Sequence, residues 1–142
     1  MQKPEGTRRQ DIACALFQEG YNCAQSTFAA FSGDAGTERA VLLRIASPFG
    51  GGIAGRKESC GALTGMLMAA GLIQGWDEAK SPEEKEAFSA QMRALIGQFE
   101  EACGHTDCAS LLNRNGDALP KREYCTGLVR EAVAILEKSI GL

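Results

Sequence analysis

Residues 60–73 read CGALTGMLMAAGLI and carry no charged side chain. Thr64 is nearly the only polar residue in this stretch, so a helix here would be apolar on every side. Helices of that kind belong in the interior of a fold. Gly61, Gly65 and Ala69 recur every four residues along one edge, where neighbouring helices can approach closely. The segment therefore predicts a central helix around which the rest of the chain packs.

The rest of the chain also has helical periodicity, with apolar residues three and four positions apart. Ser81 is a clear N-cap, because Pro82 takes the first helical position and Glu84 completes a capping box. The sequence has no run of alternating β-branched residues of the kind that predicts a strand. We expect an all-α, compact bundle of five main helices and one or two short ones, forming a single domain over residues 1–142. The expected helices span residues 8–19, 23–31, 37–46, 60–73, 82–103, 108–113 and 120–140.

The composition narrows the class of protein. The 142 residues include 15 Lys and Arg against 18 Asp and Glu, a net charge of −3, which gives no general attraction to nucleic acid or an anionic membrane. No apolar run reaches the ~18 residues of a membrane span. The start, MQKPEGTRRQD, lacks the apolar core of a signal peptide. We therefore expect a soluble, cytoplasmic protein that binds neither nucleic acid nor membrane, in which the six cysteines are thiols or metal ligands rather than structural disulfides.

Three of these cysteines follow directly after residues that cap helix starts. The pairs are Asn22-Cys23, Ser59-Cys60 and Asp107-Cys108. At the first helical position the helix dipole favours a thiolate and lowers the thiol's pKa. A fourth cysteine, Cys125, lies one turn before Leu128 on the inward face of the last helix. Thiols placed in this way indicate redox chemistry or metal ligation rather than packing.

The two remaining cysteines have simpler interpretations. Cys14 points away from the apolar stripe of the first helix and is expected to be a packing group or a surface thiol. Cys103 continues an apolar face, but it also lies in CGHTDC with Cys108 and the single histidine, His105. That cluster could bind a metal, although it lacks the C-x2-C spacing of a zinc knuckle. Cys103 is therefore a core residue or a reserve metal ligand.

The glycine-rich segment FGGGIAGRKE, residues 49–58, formally contains G-x-G-x-x-G. A dinucleotide site would need a preceding strand, and here a helix and Pro48 precede the loop. The simpler interpretation is a flexible crossing that lets backbone pass close to the site. Gly51, Gly52 and Arg56 are then the residues expected to contact a cofactor. Arg56, together with the lysine that follows it, would also supply positive potential to Cys60, making Cys60 the most nucleophilic thiol.

Four separated motifs resemble the C_GCAxxG_C_C family of redox-active proteins. They are GYNCAQ at 20–25, CGALTG at 60–65, C-x-x-L-L at 108–112 and C-x-x-L-V at 125–129. The resemblance covers roughly residues 8–140. It carries the family's four cysteines onto Cys23, Cys60, Cys108 and Cys125, and leaves Cys14 and Cys103 outside the pattern. The central motif reads SCGALTG here rather than GCAxxG, so the register of its glycine differs.

The resemblance implies a small helical protein with a redox role, and the adjoining electron-carrier modules of some relatives favour an iron–sulfur cluster. The four thiols would ligate that cluster or cycle between dithiol and disulfide, as an oxidoreductase or an electron-transfer protein. The alternatives are a non-catalytic zinc domain and an interaction module that binds no metal. A redox partner protein is expected in the first case, and a homodimer is a common arrangement for such domains. Cys23 and Cys60 are the expected closest pair, with Cys108 and Cys125 completing the group.

Overall fold

The computed structural model describes residues 6–142, and over that range the chain is all-α, as predicted. Residues 1–5 lie outside the described part. The predicted domain over residues 1–142 and the N-terminal stretch MQKPEGTRRQD both include these five residues. Seven α-helices are present among the described residues, with a 3-10 turn at Ser47–Phe49. The helices are α1 Arg8–Glu19, α2 Cys23–Ala29, α3 Arg39–Ala46, α4 Gly61–Gln74, α5 Pro82–Cys103, α6 Cys108–Asn115 and α7 Lys121–Ile140.

Helices α2 and α4 form the centre of the fold. They pack at very short range because α4 presents glycines to α2: a Cβ on Gly61 would lie 2.9 Å from the Ala24 nitrogen, and one on Gly65 would lie 2.7 Å from the Ala24 oxygen. The predicted close approach along the glycine edge of the apolar helix is therefore confirmed.

Helix α2 is nevertheless more completely buried than α4, contrary to the expectation for residues 60–73. Five of the seven residues of α2 are buried, against seven of the fourteen in α4. Two of the buried residues of α2 are Ser26 and Thr27, whose hydroxyls have no hydrogen-bond partner in the described part of the chain. Apolar periodicity does not predict the burial of polar residues, so it did not indicate the central position of α2.

The start of α2 is fixed by the predicted N-cap. The Asn22 side chain accepts a hydrogen bond from the Gln25 amide at 2.8 Å, and the Gln25 side chain accepts one from the Asn22 amide at 3.0 Å. The same two side chains also donate to the carbonyls of Ser47 and Leu43. This capping box therefore holds the first turn of α2, including Cys23, against the end of α3.

The other predicted caps have mixed outcomes. Ser81 and Asp107 cap α5 and α6, and Ser81 forms a capping box with Glu84. Ser59 does not cap α4, since Cys60 itself occupies the N-cap position and the helix begins at Gly61. No helix within residues 6–142 is both long and apolar enough to cross a membrane.

Candidate functional site

A cavity of about 190 Å³ lies where the first turns of α2, α4 and α6 meet α7 and the glycine-rich loop. Four of the six cysteines line it: Cys23, Cys60, Cys108 and Cys125. Its other walls are mainly apolar and are formed by Phe17, Leu111, Leu112 and Leu128, with Gly51, Gly52, Gly61, Asn22, Lys57 and Lys121 completing them. We call this cavity the thiol pocket.

Two glycines allow the cysteines to reach the pocket. A Cβ on Gly61 would lie 3.0 Å from the Cys23 Cβ, and one on Gly52 would lie 2.8 Å from the Cys108 Cβ. Gly52 also has a φ of +75°, in the left-handed region that favours glycine. Because any side chain at these positions would displace a cysteine, the glycines fix where two of the four thiols lie.

The glycine-rich loop passes close to the thiols, as expected, and is held by hydrogen bonds of its own. The Ala54 amide donates to the Pro48 carbonyl at 2.7 Å, and the Lys57 amide donates to the Gly51 carbonyl at 3.0 Å. Three non-glycine residues of the loop adopt positive φ: Ile53, Ala54 and Lys57. Such a conformation persists only where the surrounding contacts determine it. The loop is therefore a defined wall of the pocket.

The loop also docks onto the start of α6. The carbonyl of Glu58 accepts from the Cys108 amide at 2.6 Å, and that of Lys57 accepts from the Ala109 amide at 3.2 Å. These first-turn amides would otherwise be free to stabilise a negative charge. Burial raises the pKa of Cys108, and the positive charge of Lys57 opposes this effect. A helix start alone thus does not make Cys108 acidic.

Cys23 and Cys125 are the two pocket thiols that change each other's pKa most strongly. The interaction with the Cys23 side chain is the main reason why the pKa of Cys125 is lowered to about 7. Lys121 and Lys57 lower it further, while burial opposes them. The same interaction and the burial of Cys23 raise the pKa of Cys23 far above the usual range of a thiol. Near neutral pH the pair therefore consists of a Cys125 thiolate and a Cys23 thiol.

Cys60 is not the acidic thiol that its position predicted. Burial raises its pKa to about 11, although the amides of Ala62 and Leu63 at the start of α4 oppose this effect. The Cys125 side chain affects the pKa of Cys23 more than the charge of Cys60 does, so Cys23–Cys125 is the stronger candidate pair, while the expected Cys23–Cys60 pair stays a prediction.

Arg56, expected to contact a cofactor, does not line the thiol pocket. Its guanidinium pairs with the Glu58 carboxylate at 2.5 Å, and both side chains are mostly exposed. Gly51 and Gly52, by contrast, are part of the pocket wall. The positive charge of the loop that faces the thiols comes from Lys57.

The remaining predicted residues lie outside the pocket. Cys103 lines a separate groove beside Tyr124, where burial raises its pKa to about 12. Cys14 is buried in α1, where burial raises its pKa. His105 is exposed. The short CGHTDC segment thus places only its last cysteine at the pocket.

The four pocket cysteines are the candidate ligands for a metal. Within residues 6–142, no group of three or more Cys, His, Asp or Glu side chains is gathered closely enough to hold a metal ion. The four thiols line one cavity without converging on one point. A cluster bound by four thiolates does not fit this arrangement unless the side chains move.

Sequence reasoning missed Lys121 as a pocket residue. Lys121 opens α7 and lies four residues before Cys125, so that both occupy one face of the helix. This spacing was a usable signal. The contribution of Phe17 from α1 had none, because it depends only on how α1 packs beside α7.

The comparisons with known proteins agree with this arrangement of motifs. The family model described as "Putative redox-active protein (C_GCAxxG_C_C)" matches residues 21–139. A relative from Archaeoglobus fulgidus, named only "Uncharacterized protein", is 31% identical over 150 residues, covering 99% of this chain and 97% of the relative. No solved structure matches the chain. The match spans all four pocket cysteines, and the chain belongs to the C_GCAxxG_C_C family of redox-active proteins.

Proposed function

We propose that the protein carries out dithiol–disulfide exchange through Cys23 and Cys125, as an oxidoreductase of disulfide substrates. The observation that carries this proposal is that Cys23 and Cys125 line the same pocket and shift each other's pKa in opposite directions, as two neighbouring thiols that share one proton do. Two cysteines in contact can store two electrons by forming one disulfide bond. The contact also gives the two sulfurs different protonation states, which assigns them different roles.

Cys125 is the attacking group, since the thiolate is the nucleophile in thiol–disulfide exchange. Its sulfur attacks one sulfur of a substrate disulfide, R–S–S–R′. The substrate S–S bond breaks, R′S⁻ leaves and takes a proton from solvent, and a mixed disulfide joins Cys125 to SR. A pKa near ambient pH is close to optimal for such a nucleophile.

Cys23 is the resolving group. Once Cys125 is bonded to SR, the Cys23 thiol gives its proton to solvent, and its sulfur attacks the Cys125 sulfur. RS⁻ leaves, is protonated, and the Cys23–Cys125 disulfide forms. The substrate has gained two electrons from the protein pair and two protons, of which Cys23 releases one to solvent and solvent supplies the other, since Cys125 starts as a thiolate. An external dithiol reverses the protein half of the cycle by the same exchange.

Cys60 and Cys108 favour a single thiolate in the pocket. Burial holds both of their pKa values above the ordinary thiol value, so they are neutral near pH 7. A second thiolate would repel the first in this poorly solvated cavity. Their neutrality therefore supports the low pKa of Cys125 and makes the chemistry specific to one sulfur.

An iron–sulfur or zinc site on the same thiols is the second candidate function. It is favoured by the fact that all four family cysteines line one cavity. Anaerobic purification with metal analysis and a visible spectrum separates the two, because an iron–sulfur protein absorbs near ~400 nm. A stoichiometric cluster in the purified protein would replace the dithiol proposal.

The direct test uses the reduced protein with a chromogenic disulfide, 4,4′-dithiodipyridine, at pH 7 without oxygen. We expect a fast phase that releases two thiopyridones and leaves a Cys23–Cys125 disulfide, identified by peptide mapping. Cys23→Ser should stop after one thiopyridone, with the mixed disulfide on Cys125. Cys125→Ser should lose the fast phase by at least ~100-fold, because the remaining pocket thiols are protonated at this pH.

Cys14→Ser is the matched control, since it removes a buried thiol outside the pocket. It should leave the fast phase unchanged. The proposal fails if Cys125→Ser reacts as fast as the natural protein, or if the mapped disulfide does not join Cys23 to Cys125.

A further inference from the structure

Two lysines face the thiol pocket without an acidic partner. Lys57 and Lys121 line its mouth, and both residues are exposed. Among the described residues every salt bridge is formed by an arginine, and neither lysine takes part in one. An apolar cavity with two unpaired cations at its mouth has a charge that a ligand can complement.

The Lys57 backbone is fixed in position. It has a φ of +62°, which a residue with a side chain rarely adopts. Its amide donates to Gly51 and its carbonyl accepts from Ala109, so both polar groups of its backbone are bonded within the pocket wall. A strained conformation that the surroundings enforce is a common sign of a functional position.

Lys121 is fixed by a different element. It is the first residue of α7, and Cys125 follows it by one helical turn. The two lysines therefore approach the pocket from different sides, one from the loop and one from the helix. One of the two positive charges is balanced by the Cys125 thiolate, and the other remains for a ligand.

The size of the cavity limits that ligand. An apolar cavity of about 150 Å³ accommodates a molecule such as benzene, and the thiol pocket, at about 190 Å³, is only slightly larger. Most of its wall is apolar, with Phe17, Leu111 and Leu128 as the large side chains. A folded protein could insert at most one side chain, whereas a small molecule with an apolar body would fit.

We infer that the substrate of the pocket is a small disulfide with an anionic group, which Lys57 and Lys121 bind while its sulfur meets Cys125. This inference rests on the proposed dithiol function and adds the charge and size of the substrate. In this exchange the substrate S–S bond breaks, two thiols leave, and the Cys23–Cys125 disulfide forms.

The test compares three small disulfides of similar size. Dithiodiglycolate is anionic, 2-hydroxyethyl disulfide is neutral and cystamine is cationic. Each rate with the reduced protein is divided by the rate of the same disulfide with 2-mercaptoethanol, which removes differences in intrinsic reactivity. We expect the anionic reagent to exceed the cationic one by about tenfold or more at low salt, with the neutral one between them.

The variants Lys57→Gln and Lys121→Gln should each reduce this ratio, and the double variant should bring it close to one. Removing either lysine also changes the thiolate fraction of Cys125, but that change affects all three reagents equally and cancels in the ratio. Lys138→Gln is the matched control, since it removes one exposed charge near the other end of α7. It should preserve the natural ratio.

The outcomes separate the two proposals. A ratio near one in the natural protein, or a ratio that the double variant does not change, overturns the anionic substrate and leaves the dithiol function standing. If Cys125→Ser exchanges with all three reagents at the natural rate, the dithiol function itself is wrong. A charge preference that follows the lysines, together with loss of exchange in Cys125→Ser, supports both.

Discussion

The charged side chains at the two ends of α7 lie in opposite environments. Near its C-terminal end, Glu137 is 3% exposed and accepts hydrogen bonds from the side chains of Thr7 at 2.8 Å, Gln10 at 3.0 Å and Arg9 at 3.0 Å. Near its N-terminal end, Lys121 and Cys125 face the thiol pocket, and Lys121 has no ion-pair partner within residues 6–142.

This difference separates a structural charge from one available for chemistry. A buried charge that is fully hydrogen-bonded to its own chain can hold helices together, but it has no free hydrogen-bonding position for a ligand. Here Glu137 joins α7 to α1. A charge beside a cavity of reactive groups keeps its capacity for a ligand. One helix thus serves as an anchor at one end and as part of the site at the other.

The largest effect is expected at the anchor. Glu137→Ala removes the acceptor of three hydrogen bonds, from Thr7, Gln10 and Arg9, so we expect the free energy of unfolding to fall by about 3 kcal/mol. Arg9 keeps its ion pair with Asp34 in this variant. Urea unfolding followed by circular dichroism measures the change. The thiol pocket is at the other end of the helix, so disulfide exchange by the folded fraction should keep its natural rate.

Glu137→Gln sharpens this result, because it keeps the size of the side chain and part of its hydrogen bonding. It should lower the free energy of unfolding by less than the alanine variant does. If Glu137→Ala slowed exchange as strongly as it destabilised the fold, the separation between the two ends of α7 would be wrong.

A second prediction concerns the packing that positions Cys23. Gly61→Ala would put a Cβ 2.9 Å from the Ala24 backbone and 3.0 Å from the Cys23 Cβ. Overpacking of this kind typically costs about 1–3 kcal/mol, and the shift of Cys23 should slow closure of its disulfide with Cys125. Unfolding and the release of the second thiopyridone measure the two effects.

Gly71→Ala is the control on the same helix. A Cβ there would meet nothing within 4 Å. The free energy of unfolding should therefore rise by about 0.5–1 kcal/mol, because alanine has a higher helix propensity than glycine. Equal effects of the two substitutions would mean that the contact between α2 and α4 does not hold Cys23 in place.

The third prediction is a pH dependence at the pocket end. Because the pKa of Cys125 is lowered to about 7, its thiolate fraction rises with pH and is half at about pH 7. The alkylation rate of Cys125 should therefore rise about tenfold from pH 5 to 6 and level off above pH 8. Lys121→Gln removes a cation that favours the thiolate, so the midpoint should move to higher pH.

Added salt should move the midpoint in the same direction, because both lysines are exposed and can be screened. Rates measured by mass spectrometry of the Cys125 peptide check this. A midpoint near that of a free thiol, unaffected by Lys121→Gln, would contradict the assignment of Cys125 as the thiolate.

Local signals in the sequence were sufficient for most of the fold. The caps at Asn22, Ser81 and Asp107, and the apolar run at 60–73, depend on residues a few positions apart, and the structure contains all of them. The excess burial of α2 was not predictable in this way, because Ser26 and Thr27 are polar and their position depends on the helices around them.

The site was less predictable, for two physical reasons. The proposed pairing of Cys23 with Cys125 joins residues far apart in the chain, so no spacing rule can reveal it. The pKa of Cys60 was expected to be low because the helix dipole was counted and burial was not; burial is the larger effect. The family motifs named the four cysteines, but only the tertiary structure distinguishes the thiolate from its neutral neighbours.

The smallest expected effect distinguishes the two adjacent cations of the loop. Arg56 pairs with Glu58 in solvent and does not line the thiol pocket, whereas Lys57 does. An exposed ion pair contributes little to stability, so Arg56→Gln should leave the unfolding midpoint, the exchange rate and the charge preference nearly unchanged. The matched Lys57→Gln variant removes the same charge one residue away and should reduce the preference for the anionic disulfide. If Arg56→Gln reduced that preference as much as Lys57→Gln does, the pocket would respond to the net charge of the loop rather than to the lysine at its mouth.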